Sequence, residues 1–506
     1  MSAIQQDQVI AVVGTGAMGA GIAQVAVVAG HPVKLLDVRP GAAAAAVASI
    51  QARIERLVAK GRLSASAGER AQAQLIPVSA LTDLADAALV VEAINEDLAS
   101  KQKLYADLEA IVGPDCVFGS NTSSISITAI ASALQRPERL AGLHFFNPAP
   151  LMALVEIVAG LASSQAVLAT LYATAEAWGK VPVYAKSTPG FIVNRVARPY
   201  YAEALRVYQE QGADAATIDA CCREAGGFRM GPFELMDLIG HDVNFAVTQS
   251  VWQAFYYDQR FLPSLVQQDL VHAGFLGKKS GRGFYDYGAD AASPQAQTAA
   301  EVAYPTDVCI HGASLAAQAL ADRLSAQGLA FERAPAINGR LATIGDVVLC
   351  VTDGRSASQR AYDNQQPNTV LLDLALDYQT ATRVAISVAA GASDKALTAV
   401  TGLLQGCGLA VSVLADIPGL VVMRTVAMLA NEAADAVNQG VGSPEGIDKA
   451  MRLGVNYPQG PLAWAQNIGF DKVQTVLRQL GATYGEDRYR VSPWLQQQVL
   501  GAHAHA

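Results

Sequence analysis

A hydroxyl, an imidazole and a carboxylate fall within one stretch of this 506-residue chain. They are carried by Asn121-Thr122-Ser123-Ser124, then His144-Phe145-Phe146-Asn147-Pro148, then Glu156 closing the apolar run Leu151-Met152-Ala153-Leu154-Val155. A histidine held by a carboxylate can take the proton of a secondary alcohol, while the carboxylate sets the tautomer and stabilises the imidazolium that forms. A histidine beside two phenylalanines is ordinarily a packed core residue; the acid twelve positions on and the hydroxyl-rich run before it argue for chemistry instead. Alcohol oxidation needs a hydride acceptor, and one is announced upstream.

There the apolar run Val9-Ile10-Ala11-Val12-Val13 meets Gly14-Thr15-Gly16-Ala17-Met18-Gly19 and an Ala/Val-rich helix expected over Ala20 to Ala29. Strand, glycine turn and helix together describe a dinucleotide site: Gly14 for the tight turn, Gly16 for approach to the pyrophosphate, Gly19 for helix-on-strand packing, with the diphosphate at the helix N-terminus. The alternative is a plain βα turn. A second strand, Pro32 to Leu36, ends in Asp37, about 20 residues beyond the glycines, where a carboxylate accepts from the adenosine ribose and repels a 2′-phosphate. NAD is therefore expected, although Arg39 leaves a 2′-phosphate admissible. An Ala-rich helix from Pro40 through Arg53, Arg56 and Lys60, followed by a second helix over Glu69 to Gln74, forms a hairpin with a basic tip. That tip suits the phosphates of coenzyme A, and equally suits a solvated helix end. The Asn-Thr-Ser-Ser run is also a good helix N-cap.

With 51% apolar and 16% charged residues the chain can bury several cores. A net charge of −9 without clustered basic residues argues against a nucleic-acid partner. The six cysteines and seven histidines show neither a disulfide framework nor metal-ligand spacing, so no metal and a reducing cytoplasm are expected. Met1 to Gln8 is polar and leads straight into a strand, which leaves no room for a signal peptide, and no segment has the length of a membrane span.

The motifs Gly14-Thr-Gly-Ala-Met-Gly, Asn121-Thr-Ser-Ser, His144-Phe-Phe-Asn-Pro, Glu156, Thr188-Pro-Gly-Phe-Ile-Val-Asn194-Arg and Gly231-Pro-Phe-Glu-Leu resemble, in order and spacing, the L-3-hydroxyacyl-CoA dehydrogenases from Ile10 to about Tyr287. The resemblance implies an acyl-CoA substrate, His144 as general base, Glu156 orienting it, and Ser123 and Asn194 hydrogen-bonding the reacting oxygens. It further implies that Glu96, Lys101 and Asn147 line the nicotinamide side, joining Gly14, Gly16, Ala17, Met18, Gly19 and Asp37 as cofactor contacts. Pro189 is expected to open a helix carrying Asn194, with further helices over 213–225, 232–239 and 243–258, in a domain resembling the family's dimerisation and substrate-closing domain.

The second half explains the length. Pro189-Gly190 reappears as Pro418-Gly419, and the same offset of 229 relates Arg195 to Arg424, Glu203 to Glu432, Ile218-Asp219 to Ile447-Asp448 and Gly231-Pro232 to Gly460-Pro461. Asn194 becomes Met423, so a polar contact is lost while the scaffold is kept. The expected architecture is an α/β Rossmann-like domain (1–187) and an all-α helical domain (188–290), then a linker (291–304), a degenerate α/β domain without NAD (305–415) and a second helical copy (416–506). The copies would pair as an intramolecular pseudo-dimer, or else drive a homo-oligomer. Size and duplication resemble the bacterial dehydrogenases of phenylacetate catabolism, whose substrate is 3-hydroxyadipyl-CoA. Arg198, four residues after Asn194 and so on the same helix face, and Arg229 are candidates for a distal carboxylate, or ordinary surface salt bridges. Short-chain substrates such as 3-hydroxybutyryl-CoA, and a non-catalytic scaffold on the same fold, are the alternatives.

Overall fold

The computed structural model describes residues 2–504. It divides the chain into two compact units, residues 1–195 with 439–455, and residues 196–438 with 456–506. The first unit contains strands β1 (Val9–Val13), β2 (Val33–Leu36), β3 (Leu75–Pro77), β4 (Ala87–Glu92), β5 (Val117–Ser120), β6 (Leu140–Phe145), β7 (Leu154–Ala159) and β8 (Val181–Lys186). They form one sheet in the order β3-β2-β1-β4-β5-β6-β7-β8, parallel throughout except where β6 meets β7. Consecutive residues of β1 are fully buried, so both faces of the strand are covered, and this is why its sequence is apolar without alternation. Strand order reverses at β1, and the Gly14 to Gly19 turn leaves its carboxyl end at that switch point.

The helix after this turn is Ala17–Val28, beginning three residues earlier than expected. The basic hairpin is Ala42–Ala59 with Ala65–Ala73, the latter capped by the Ser64 hydroxyl accepting from the Ala67 N–H. Pro189 does not open a helix. The chain turns through Gly190 and Phe191, both at positive φ (73° and 47°), and only then forms the short helix Val193–Val196; Arg198–Gln209 follows after Ala197. The cause is Glu156, whose Oε1 accepts from the N–H groups of Ile192 and Val193 and so fixes the helix start beyond the proline.

In the second unit Pro232–Ile239 forms as expected, whereas the neighbouring helices are Ala215–Ala220 continued by a π-helical turn, Cys221–Ala225, and His241–Ala254. Residues 291–304 have no regular secondary structure, but they are tied down: the Gln297 N–H donates to Thr217 Oγ1 and the Ala299 N–H to the Val411 carbonyl. A second sheet contains β9 (Val308–His311), β10 (Glu332–Ala334), β11 (Arg340–Ile344), β12 (Val347–Val351), β13 (Thr369–Leu372), β14 (Arg383–Val388) and β15 (Ala410–Leu414), in the order β10-β9-β11-β12-β13-β14-β15. It is mixed, with antiparallel pairs at β9/β11, β11/β12 and β13/β14.

The offset of 229 reaches upstream into this sheet. β7 and β14 are 229 apart, as are the helices Gln165–Ala177 and Asp394–Gly406, and the pairing Leu143 with Ile157 recurs as Leu372 with Ile386. His144 then corresponds to Asp373 and Glu156 to Ala385. Asp373 is fully buried and collects the N–H groups of Val421, Val422, Met423 and Leu374. One carboxylate thus does in the second copy the backbone-holding work that Glu156 does in the first. Burial pushes the Asp373 carboxyl up to about 6 against these four donors. Asp373→Asn offers one acceptor oxygen to four donors and should cost about 1–3 kcal/mol in urea unfolding. Between about pH 4 and 6 the native state keeps a proton that the unfolded state has lost, so wild-type stability falls with rising pH and its lead over the Asn variant narrows.

Among the described residues no helix is long and apolar enough to cross a membrane. None of their His, Cys, Asp and Glu groups is arranged to hold a metal ion.

Candidate active site

β6 and β7 place His144 directly opposite Glu156, and the side chains meet at 2.6 Å between Nδ1 and Oε2. His144 is 5% exposed and Glu156 0%. With Nδ1 committed to the carboxylate, Nε2 is the nitrogen left for proton transfer. The rings of Phe146 and Phe191 lie 4.5 and 5.7 Å from the imidazole, centroid to centroid, which limits its rotation. The second oxygen of Glu156 accepts from Ile192 and Val193 N–H at 3.0 Å each, so the acid is fixed at both ends. Asn194 is the next residue, half-buried on the short helix that these bonds anchor.

The Asn121 to Ser124 loop follows β5. Asn121 Oδ1 accepts from the Phe145 N–H at 2.8 Å, which ties this loop to the strand bearing His144. Sequence reading quoted Asn121 without giving it this role, because an acceptor of one backbone N–H leaves no spacing signal. Glu96 Oε1 gathers the hydroxyls of Thr122 and Ser124 and the N–H groups of Ser123 and Ser124 at 2.6 to 3.1 Å. Burial works to raise the Glu96 pKa, yet the Thr122 hydroxyl and the Lys101 ammonium hold it below the usual value. Ser123 does not cap the following helix; Ser126 does. Among the described residues no protein group bonds the Ser123 hydroxyl, which stays half-buried beside the organised loop. Lys101, expected to line the nicotinamide side, is 1% exposed, with Nζ 2.5 Å from Glu92 Oε1 and 3.2 Å from Glu96 Oε2. Asn147 is exposed, and its bond to Pro148 is cis.

At the other end, a Cβ on Gly14 would stand 2.4 Å from the Ala93 carbonyl oxygen, and one on Gly19 would stand 1.8 Å from that of Gly14. Nothing lies within 4 Å of a Cβ on Gly16. Gly16 caps the helix without a side chain, leaving the first N–H groups by Ala17 and Met18 open to an anion. These residues fit the diphosphate of NAD. Asp37 Oδ2 accepts from the Thr15 N–H and hydroxyl, and Arg39 closes on Asp37 as a bidentate pair, Nε to Oδ1 and Nη2 to Oδ2, both 3.0 Å. This guanidinium, followed by the Thr15 hydroxyl, holds the Asp37 carboxyl far below the ordinary carboxylate range. Arg39 is thus engaged with Asp37 rather than held ready for a phosphate.

The remaining predicted residues are more scattered. Lys60 ends the helix Ala42–Ala59 at the exposed hairpin tip. Arg198 opens the helix Arg198–Gln209, separated from the short helix of Asn194 by Ala197. It is 6% exposed, donates to Thr248 Oγ1 at 3.1 Å and lies 4.9 Å over the Tyr201 ring, so it is no surface ion-pair residue. Arg229 is exposed.

Comparison with known proteins identifies the family. The profile of the 3-hydroxyacyl-CoA dehydrogenase NAD-binding domain matches residues 9–188, that of the C-terminal domain matches 190–287 and again 419–504, and that of the 3-hydroxybutyryl-CoA dehydrogenase reduced Rossmann-fold domain matches 349–418. The 3-hydroxyadipyl-CoA dehydrogenase of Escherichia coli is 46% identical over 97% of this chain and 98% of its own length. A crystal structure named as 3-hydroxybutyryl-CoA dehydrogenase from Escherichia coli superposes with a TM-score of 0.89 at 45% identity, covering 99% of this chain and all of that one. The mitochondrial hydroxyacyl-coenzyme A dehydrogenase of Sus scrofa is 41% identical over 55% of this chain and 90% of its own.

Proposed function

We propose a substrate and a set of residue roles from the premise that this chain belongs to the 3-hydroxyacyl-CoA dehydrogenase family, which a relative matching 97% of its length establishes. It is an NAD-dependent enzyme that oxidises 3-hydroxyacyl-CoA to 3-oxoacyl-CoA. Bound NAD supplies the hydride acceptor. The observation that carries the residue roles is the two-ended Glu156: one oxygen on His144 Nδ1, the other on the backbone that leads into Asn194. In oxidation His144 Nε2 takes the hydroxyl proton while Glu156 keeps the Nδ1–H and stabilises the imidazolium; in reduction the imidazolium returns that proton to the forming alkoxide. Ser123 and Asn194 donate hydrogen bonds to the reacting oxygens. Gly14, Gly16, Ala17, Met18, Gly19 and Asp37 hold the adenosine diphosphate, with Glu96 and Asn147 towards the nicotinamide and Lys101 supporting Glu96. Lys60 is the candidate contact for the coenzyme A phosphates.

The substrate we favour is 3-hydroxyadipyl-CoA, with Arg198 or Arg229 pairing with its distal carboxylate. Support comes from the full-length relative that carries that name. The 45% identical crystal structure named for 3-hydroxybutyryl-CoA dehydrogenase favours the short-chain alternative. Initial rates of NADH oxidation with matched 3-oxoadipyl-CoA and acetoacetyl-CoA decide between them. A tenfold or greater preference for the dicarboxylic substrate is expected, and Arg198→Ala or Arg229→Ala should raise its KM alone. Preference for acetoacetyl-CoA refutes this substrate, and equal loss on both substrates refutes the arginine role.

The five-part domain division read from the sequence, from the Rossmann-like domain (1–187) to the second helical copy (416–506), belongs to the same proposal. So does pairing of the two helical copies as an intramolecular pseudo-dimer. Arg260 of the first copy bonds Glu432 of the second at 3.1 Å, and Tyr489 of the second, 229 positions from Arg260, donates its hydroxyl to Glu203 of the first at 3.0 Å. Glu203 and Glu432 are equivalent positions, and a self-complementary interface repeats its contacts in this way. All six cysteines are free thiols, which supports a reducing, cytoplasmic setting.

A further inference from the structure

Residues Gln439–Val455 come from the second helical copy by sequence, yet they belong to the unit that holds His144 and Glu156. The Lys186 N–H at the end of β8 donates to the Val441 carbonyl at 2.8 Å, and Arg195 Nη1 donates to Gln439 Oε1 at 2.9 Å. Two glycines bring the segment against the backbone that fixes Glu156. A Cβ on Gly454 would stand 2.8 Å from Leu154 Cδ2 and 2.9 Å from Val193 Cγ2; one on Gly442 would stand 3.2 Å from Ile192 Cδ1 and 3.4 Å from the Tyr184 carbonyl oxygen. Ile192 and Val193 are the residues whose N–H groups hold Glu156 Oε1.

The arrangement recurs in the second unit. The Ala415 N–H donates to the Gly212 carbonyl at 3.0 Å, and these residues lie 229 positions from Lys186 and Val441 respectively. Each sheet therefore receives a segment from the helical copy of the other half. On the second sheet that segment serves a site where His144 has become Asp373 and Glu156 has become Ala385, so only on the first sheet does the exchange touch residues assigned to chemistry.

We infer that residues 439–455 are a positioning segment for catalysis, through which the second half of the chain sets the placement of Glu156 and hence of the His144 imidazole. Gly442 and Gly454 are its contact residues. The inference rests on the reading of His144 and Glu156 as the base and its holder. A methyl group at Gly454 must displace Val193, both of whose Cγ atoms lie within 3.4 Å of it, and that motion carries the Val193 N–H away from Glu156. Replacing Val193 by Ala removes both Cγ atoms and leaves space into which the end of Leu154 can rotate.

The test uses the full-length protein, with kcat, KM for NADH and NADH affinity by fluorescence titration measured for Gly454→Ala, Gly454→Ala with Val193→Ala, and Gly442→Ala. Gly454→Ala is expected to lower kcat at least fivefold while NADH affinity stays within twofold, and the double variant to recover most of the loss. Gly442→Ala, with contacts of 3.2 to 3.4 Å that a small shift relieves, should fold and show the same split at about twofold. Unchanged kcat in both single variants overturns the inference, as does a loss in Gly454→Ala that Val193→Ala does not recover. If Gly454→Ala does not fold, Gly442→Ala decides alone, and wild-type kcat there overturns it. His144→Gln and Glu156→Gln, run alongside, separate the two levels: if either keeps wild-type kcat the base assignment fails, and if both are inactive while the glycine variants are not, only the positioning role fails.

Discussion

His144→Gln should lower kcat by about 10³-fold in both directions, a barrier increase of about 4 kcal/mol, with NADH affinity essentially unchanged. Glutamine preserves most of the volume between Phe146 and Phe191 but cannot cycle a proton at the position of Nε2. Glu156→Gln should cost about 10²- to 10⁴-fold for a different reason. A carboxylate only accepts, so it selects the tautomer with hydrogen on Nδ1 and a lone pair on Nε2. An amide that keeps its oxygen on the Ile192 and Val193 N–H groups turns its NH2 towards Nδ1 and enforces the opposite tautomer, which carries hydrogen where the base must be bare. Both losses should appear in kcat from initial rates of NADH oxidation, with NADH binding followed by fluorescence. If His144→Gln retains more than a tenth of wild-type kcat, another group moves the proton.

Asp37→Ser should change coenzyme choice. In the wild type Asp37 opposes a 2′-phosphate by its charge and also engages the Arg39 guanidinium, which could bind one, through two bonds of 3.0 Å. Serine removes the repulsion and frees Arg39, which is largely exposed and able to swing. Loss of ribose bonds to a carboxylate and gain of a guanidinium–phosphate pair are worth about 1.5–3 kcal/mol each. The NADPH to NADH ratio of kcat/KM should therefore rise by about 10²- to 10⁴-fold, with NADPH affinity in fluorescence titration rising in parallel. Asp37→Ser with Arg39→Ala should lose the gain. A ratio that is the same in the single and double variants means that Arg39 does not reach the phosphate.

Much of the site was legible because its parts are local or regularly spaced. The glycine turn needs glycine for reasons acting within a few residues, as Gly14 and Gly19 show against the Ala93 and Gly14 carbonyls. The pairing of His144 with Glu156 follows from two strands joined by a short connection. Less legible were roles filled by backbone partners. Asn121 holding Phe145, and Glu96 holding the Ser123-Ser124 loop, are side chain to N–H contacts, and an N–H is present at almost every residue. The helix expected from Pro189 failed for the same reason, since Glu156 captured the N–H groups that moved its start to Val193. The four-residue spacing of Asn194 and Arg198 was read on one continuous helix, whereas the structure interrupts that helix at Ala197.

The sequence alone determined the dinucleotide fold, the nearness of His144 to Glu156 and the repeat of 229, because each rests on residue types at fixed separations. Only the tertiary structure decided that Asp373 takes over the work of Glu156 in the second sheet, that Arg39 is spent on Asp37, and that residues 439–455 lie against the backbone holding Glu156. These depend on which distant surfaces meet, and a glycine that admits a close neighbour looks, in one dimension, like any other glycine.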